Sequence, residues 1–350
     1  MKKVYWRPKA VSRTALMLVA VVAVSGLTIV EHVRVTTQAP YHKEKVAAAQ
    51  LAEKCFEAIK ADGHRWPKDK PEREPDRDAD PAESGLIGLP TSIVTSVHGD
   101  LPAKQTSINP NFAAAIYEML REAGVKDNDV VAVGASGSFP ALNICVLAAL
   151  KTLNARPIIV SSVAASEWGA NLPDFLWLDM EKSLYDARLV DFRSAAASIG
   201  GYEDQGIGMT DEAISFIYKA ISRNQLRRLD PRPGTDVVQQ RMDFYRQQAH
   251  GSPIACFINI GGGAISVGGT DAKQSFKPGL NVRRPRRLGD ADGIMPRFIK
   301  EKVPVIHLVN IKGLAERYGL PLEPQQRPGV GQGGVFERPG YSKPLAASVL

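Results

Sequence analysis

The chain has 350 residues, enough for one large or two modest domains, and a 44% hydrophobic fraction normal for a globular core. Its net charge of +7 looks like a nucleic-acid signature, but residues 1–13 carry five positive charges and no acid, leaving only +2 for the rest. That distribution argues against a nucleic-acid partner and attributes the excess charge to topology instead. Three cysteines, Cys55, Cys145 and Cys256, sit among apolar residues without metal-ligand spacing, and read as small buried hydrophobes.

Lys2, Lys3, Arg7, Lys9 and Arg13 precede an uncharged apolar run from Thr14 to Val30. As a helix that run spans about 26 Å, which crosses a bilayer core when Arg13 and Glu31 snorkel. The segment 14–33 is therefore expected to be a transmembrane anchor in the lipid bilayer, behind a cytoplasmic basic tail at 1–13. Arg34, Lys43 and Lys45 behind it are diluted by Glu31 and Glu44, so the charge bias sets the main domain outside the cytoplasm. A cleaved signal peptide, cut after Ala23-Val24-Ser25, is the rival reading. The apolar run is longer than a signal core and passes through that site without a polar break, which favours the anchor.

Within 34–61, residues 43–60 read as an amphipathic helix with Leu51, Ala52, Cys55, Phe56 and Ile59 on one stripe. Residues 62–84 are dense in Pro and charge and read as a solvated linker, with the main domain starting near Gly85. From there to 326, apolar runs at Ser92–Val97, Asp129–Val133, Pro157–Ser161, Ile254–Ile260 and Val303–Val309 predict strands. Helical patterns fall at Asn111–Ala123, Ala141–Leu153, Asp179–Val190, Asp211–Asn224, Asp236–Ala249, Met295–Glu301 and Ile311–Tyr318. The alternation predicts a mostly parallel, doubly wound, three-layer α/β domain. Residues 327–350, opening on a glycine-rich RPGVGQGG, are expected to be a flexible tail.

Ligands of open α/β sheets bind at the carboxyl ends of the strands. There the chain places Gly134, Ser136, Gly137 and Ser138; Ser162 and Ser166, followed by Glu167 and Trp168; Asn259, Gly261, Gly262 and Gly263; and Lys312. The loop after 92–97 adds His98, Asp100 and Lys104. Gly134-Ala-Ser136-Gly-Ser138 has the strand–turn–helix context of a nucleophile elbow, with Ser where the last Gly belongs. His98 or His307 is then a candidate base and Asp100 a candidate acid. The alternative is a turn whose serines cap the next helix.

Two cofactor motifs are near misses. Residues 263–270 keep P-loop glycine spacing but place Gly269 where lysine belongs, and Gly261-x-Gly263-x-x-Ser266 lacks the third glycine of a dinucleotide fingerprint. Turns of this kind suit a carboxylate better. Asp290-Ala-Asp292-Gly293 begins like a calcium loop yet has Val303 at the twelfth position. No metal and no cofactor is expected. Arg283, Arg284, Arg286 and Arg287 form a basic cluster able to grip an acidic polymer, or simply a solvated loop. Trp168 and Trp177 read as packing residues before a sugar or peptide platform.

The strings GDLPAKQTSINPNFAA (99–114), VGASGSFPALNI (133–144), SSVAASEWGANLPDFLWLDME (161–181) and NIGGG (259–263) resemble those of the poly-γ-glutamate system protein family. Its members are membrane-anchored components grouped with the ligase and membrane subunits that make and export poly-γ-glutamate. The resemblance covers the anchor and most of 85–320. It implies a polymer-binding or assembly role in capsule or exopolymer biosynthesis, with poly-γ-glutamate or another acidic polymer and membrane-embedded synthase subunits as partners. It brings no catalytic assignment. The alternative class is an anchored serine hydrolase or transferase acting on the γ-glutamyl polymer, with Ser136 or Ser138 as nucleophile.

Overall fold

The computed structural model describes residues 12–62, 76–229 and 236–349. Two compact units emerge: one holds the described residues up to Pro40 together with those from Glu337 onward, the other is Tyr41–Phe336. Most of the basic tail and residues 63–75 of the expected linker lie outside the described residues.

In the first unit, α1 (Arg13–His32) is capped by Ser12, whose hydroxyl accepts from the Ala15 N–H at 3.2 Å. Its 20 residues span about 30 Å, and Gly26 is its only buried residue, so it is long and apolar enough to cross a membrane. After α1 comes β1 (Arg34–Gln38), which pairs antiparallel with the chain's last strand, Glu337–Tyr341.

The second unit begins with α2 (His42–Ala61), whose buried stripe runs Lys45, Ala48, Ala49, Ala52, Cys55, Phe56 and Ile59. Small residues on that stripe allow close approach to two later helices of the domain, Phe112–Glu122 and Pro140–Thr152. The helix is thus a wall of the α/β domain, and the boundary lies at Tyr41 rather than near Gly85. Part of the expected linker is also folded in. Asp80 is buried and accepts from the Ser84 and Gly85 N–H groups at 3.0 and 2.8 Å, closing a tight turn.

Next in order are β2 (Thr95–Val97), α3 (Leu101–Ser107), α4 (Phe112–Glu122), β3 (Val130–Ser136), α5 (Pro140–Thr152), β4 (Arg156–Ser162) and β5 (Ala165–Ser166). A short hairpin, β6 (Asn171–Leu172) and β7 (Phe175–Leu176), leads to α6 (Trp177–Asp186), β8 (Ala196–Ser198), α7 (Asp211–Arg223) and β9 (Arg227–Arg228). The domain continues through α8 (Val237–Gln248), β10 (Ile254–Ile260), α9 (Ala264–Val267), α10 (Gly269–Ser275), β11 (Gly279–Asn281), α11 (Ile294–Lys300), β12 (Val305–Leu308) and α12 (Ile311–Arg317). In the first unit, β13 (Glu337–Tyr341) is the partner of β1, and α13 (Lys343–Val349) follows.

The main sheet runs β11-β12-β10-β3-β4-β8-β9. Its neighbours are parallel except β11 and β12, which are antiparallel, so the sheet is mixed. Alternate residues of one strand enter opposite cores. Val131, Val133 and Ala135 of β3 join one apolar cluster, Val130 and Ala132 the other. Both faces are covered, which is why these strands read as unbroken apolar runs.

Two expectations change. The strand expected at 92–97 shrinks to β2, which pairs with β5 outside the main sheet. Hydroxyls explain this: Ser92 Oγ accepts from the Val94 N–H at 3.2 Å and Thr95 Oγ1 from the Ser92 N–H at 2.9 Å, folding the start of the run into a turn. The glycine-rich start of the expected flexible tail is tied down as well. Asn111 Nδ2 donates to Gly329 O at 2.9 Å and its Oδ1 accepts from the Gly331 N–H at 3.0 Å, after which Val335 and Phe336 are buried.

Candidate functional site

From β3 the chain builds outward through β4, β8 and β9, then returns to lay β10 on the other side of β3. Parallel strands leaving a sheet in opposite directions open a crevice at their carboxyl ends. There, a cavity of about 520 Å³ is lined from the ends of β3, β4 and β10 and from the loops after β2 and β8.

The β3 exit is a tight turn. The Ser138 N–H donates to Ser136 Oγ at 3.2 Å, and Asn143 Nδ2 of α5 donates to Ser136 O at 2.8 Å. Between the serines, Gly137 donates to Ser162 O at 2.9 Å, and a Cβ there would lie 2.5 Å from Val163 O. Only glycine fits, and Gly137 supports the wall from behind without lining the cavity. Pro140 opens α5 where its missing N–H costs nothing.

Lys104 of α3 reaches this turn from below and is 3% exposed. Its ammonium group donates to Ser138 O, lies 2.7 Å from Ser166 Oγ, and sits 4.2 Å from the centre of the Phe139 ring. Burial pushes its pKa down to about 7, against the opposing pull of Asp100 and Glu167. Ser166, on β5, is anchored by its N–H, which donates to Ser138 Oγ at 3.0 Å.

Asp100 lines one side of the cavity, and Glu167 lies next to it outside the lining. Glu167 accepts from the Gly99 N–H at 2.9 Å and meets His98 Nδ1 at 3.2 Å. Those two bonds, Gly99 first, hold its carboxyl below the usual range. Asp100 starts α3 and is exposed. Neither Ser136 nor Ser138 is hydrogen-bonded to a histidine among the described residues, so the triad considered from sequence is not formed. His98 is engaged by Glu167. His307 Nδ1 lies 3.2 Å from Asn259 Nδ2, and burial pushes its pKa down to about 4, leaving a neutral ring.

Asn259 also donates to Gly261 O at 2.7 Å, shaping the β10 exit, where Gly261 has φ +92°, a Cβ on Gly262 would meet only Lys273 Cε at 4.0 Å, and Gly263 faces open space. Residues Gly134, Ser162, Ser166, Asn259 and Gly261–Gly263 all line the cavity, as expected of the strand ends. Lys312 does not; it is half-buried on α12. Arg283, Arg284, Arg286 and Arg287 are exposed on the β11–α11 loop, away from the cavity and without ion pairs among the described residues. Arg284 donates to Gly289 O at 2.8 Å.

Three lining groups escaped the sequence reading. Arg241 of α8 and Asp204 form an ion pair at 2.6 Å with 3% and 5% exposure. Ser198 and Ser162 hydroxyls complete it, Arg241 Nη2 donating to them at 2.5 and 3.0 Å. Lys273 of α10 stands exposed at the rim. For Arg241 a signal was present: it falls on the stripe of Val237, Phe244 and Tyr245 at i−4, i+3 and i+4.

Trp177 is packed in the core, its indole N–H donating to Ser161 Oγ at 3.2 Å. The three thiols are buried and unpaired, and burial pushes Cys55 and Cys256 up to about 12. Among the described residues, no group of three or more His, Cys, Asp or Glu could hold a metal ion. No protein-family model, curated protein or solved structure matches the chain.

Proposed function

We propose that this chain is a membrane-anchored component of poly-γ-glutamate biosynthesis or export, a polymer-binding or assembly subunit whose cavity receives γ-glutamyl carboxylates. One observation carries the reading. The four strings that resemble the poly-γ-glutamate system proteins come from separate parts of the chain, yet each contributes to the wall of one cavity: Asp100 and Lys104, Gly134 and Ser138, Ser162 and Ser166, Asn259 and Gly261. A doubly wound arrangement, with its crevice between β3 and β10, supports that use of the strand ends.

In this reading the basic tail stays cytoplasmic, residues 14–33 sit in the bilayer, and the domain works outside beside membrane-embedded synthase subunits. Nucleic acid has no part in it. Open backbone at Gly263, with Lys273 beside Gly262 at the rim, suits carboxylates, and the arginines at 283–287 add a second grip on a polyanion.

Retention of the detergent-solubilised chain on a poly-γ-glutamate resin tests this. Binding at low salt that weakens as salt rises is expected. Passage through the resin at low salt without retention overturns the polymer reading. Protease protection in spheroplasts tests the orientation: the domain should be cut from outside.

The second reading, a hydrolase or transferase on the same polymer, is favoured by a specific contact, that of Lys104 with Ser166.

A further inference from the structure

We propose that Ser166 and Lys104 form an acyl-transfer pair, with Ser166 Oγ the nucleophile and Lys104 Nζ its base, acting on an amide carbonyl brought into the cavity. The pair stands on the geometry alone. Only the substrate class, a γ-glutamyl amide, rests on the reading above.

The contacts of Lys104 set it apart from a structural lysine. A buried ammonium ordinarily has a carboxylate within bonding distance. Lys104 has a carbonyl, Ser138 O, and a hydroxyl, Ser166 Oγ at 2.7 Å, with an aromatic ring over its head. The nearby carboxylates are Asp100, exposed on its own helix, and Glu167, already committed to the Gly99 N–H and His98. A neutral amine satisfies this surrounding: it donates to Ser138 O and offers its lone pair to the Ser166 proton. Burial that brings its pKa to about 7 makes that neutral form abundant at ordinary pH.

Ser166 meets the other requirement, a fixed nucleophile at the edge of an open space. Its backbone is held by the pairing of β5 with Val97 of β2 and by the N–H bond to Ser138 Oγ, while the residue lines the cavity. Serine–lysine pairs of this kind replace the serine–histidine pair in acyl-transfer chemistry.

The step balances within these two groups and water. Ser166 Oγ adds to the amide carbonyl carbon as its proton passes to Lys104 Nζ. The C–N bond breaks, the leaving amine takes that proton from Lys104, and an ester on Ser166 remains. Water then adds to the ester carbonyl, its proton going to Lys104 and on to the departing Ser166 Oγ. The products are a carboxylic acid and an amine, and the protein is regenerated.

The test uses the full chain in detergent micelles with an alkyl fluorophosphonate, a serine-directed probe independent of any polymer. The adduct is mapped by peptide mass spectrometry, and its rate is followed from pH 5.5 to 9.5. An adduct on Ser166 is expected, forming faster as pH rises through about 7. Lys104→Met should slow it by about 100-fold or more while keeping the apolar volume of the side chain. No adduct on the wild-type chain overturns the pair. So does an adduct on Ser136 or Ser138 instead, or a Ser166 adduct whose rate is flat with pH. The wild-type map and pH profile decide the matter even where a variant fails to fold. Because the probe is not a polymer, labelling without retention on the resin would refute only the polymer reading.

Discussion

Among the described residues of this domain two lysines are buried, and they are buried differently. Lys45, in the helical layer, is fully enclosed between α2 and α4, where its ammonium is ion-paired with Glu118 and donates to Val335 O at 2.9 Å. Lys104, at the carboxyl ends of the strands, has a hydroxyl and a carbonyl instead and borders a cavity. One charge is neutralised where it sits and ties three segments together. The other is desolvated without a bonded carboxylate, a costly arrangement for a structural role. The difference teaches that burial alone does not mark a working group; burial without a bonded counter-charge, beside open space, does.

The same substitution in both places should break the comparison most sharply. Lys45→Met removes the ammonium from Glu118 and from the Val335 carbonyl, and should cost about 3 kcal/mol of stability. Lys104→Met exchanges a desolvated amine without a bonded carboxylate for an apolar chain of similar length, and should leave stability at pH 7 unchanged or raise it. Urea unfolding of the two variants measures both. Equal losses would mean that Lys104 is also a structural tie.

Backbone around the cavity divides in the same way. At Gly137 a Cβ would press on Val163 O at 2.5 Å, so Gly137→Ala should cost about 2 kcal/mol and distort the turn that presents Ser138. At Gly263 nothing lies within 4 Å, so Gly263→Ala should stay within about 0.5 kcal/mol and act, if at all, on ligand binding. Thermal melts separate the two.

A buried acid extends the comparison to pH. Glu181 of α6 is fully enclosed, accepts from the Ser194 N–H and Oγ at 2.9 and 3.0 Å, and is pushed by burial up to about 7. Between about 4.5 and 7 the native state keeps a proton that the unfolded chain has lost, so stability should fall as pH rises through that window. Lys104 works in the opposite sense above it. Between about 7 and 10.5 the unfolded chain holds a proton that the native state has shed, so stability should rise with pH. Below 7 the cost of the buried Lys104 charge is fully present. Each slope is at most about 1.4 kcal/mol per pH unit. Glu181→Gln should flatten the fall and Lys104→Met the rise; unfolding midpoints measured from pH 4 to 10 would show either slope persisting if the assignment is wrong.

β3, β4, β10 and β12 were readable within a few residues because strands buried on both faces must be continuously apolar. Lys104, Ser138 and Ser166 were named as site residues, but the bond joining Lys104 to Ser166 spans 62 positions and depends on β5 leaving the main sheet. No local period carries that. Charges on apolar stripes carried more than was read from them. Lys45 with Ala48 and Ala49, Glu181 with Trp177 and Leu184, and Arg241 with Val237 and Tyr245 all fall at helical spacing, and all three proved to be buried. Such a charge in a sequence marks a partner to look for elsewhere in the chain.

The exposed arginines are the opposite case, and they set the smallest stability effect. Arg283, Arg284, Arg286 and Arg287 are surrounded by water, so their charge is already solvated and contributes little to folding. Replacing all four with Ala should move stability by no more than about 0.5 kcal/mol. Retention on poly-γ-glutamate should nonetheless weaken, and its salt dependence should become shallower, because fewer screened ion contacts remain. A quadruple variant retained like wild type at low salt would assign polymer contact to the cavity alone. It would then be the cavity, with Lys273 at its rim, and not the four hydrated arginines, that meets the ligand.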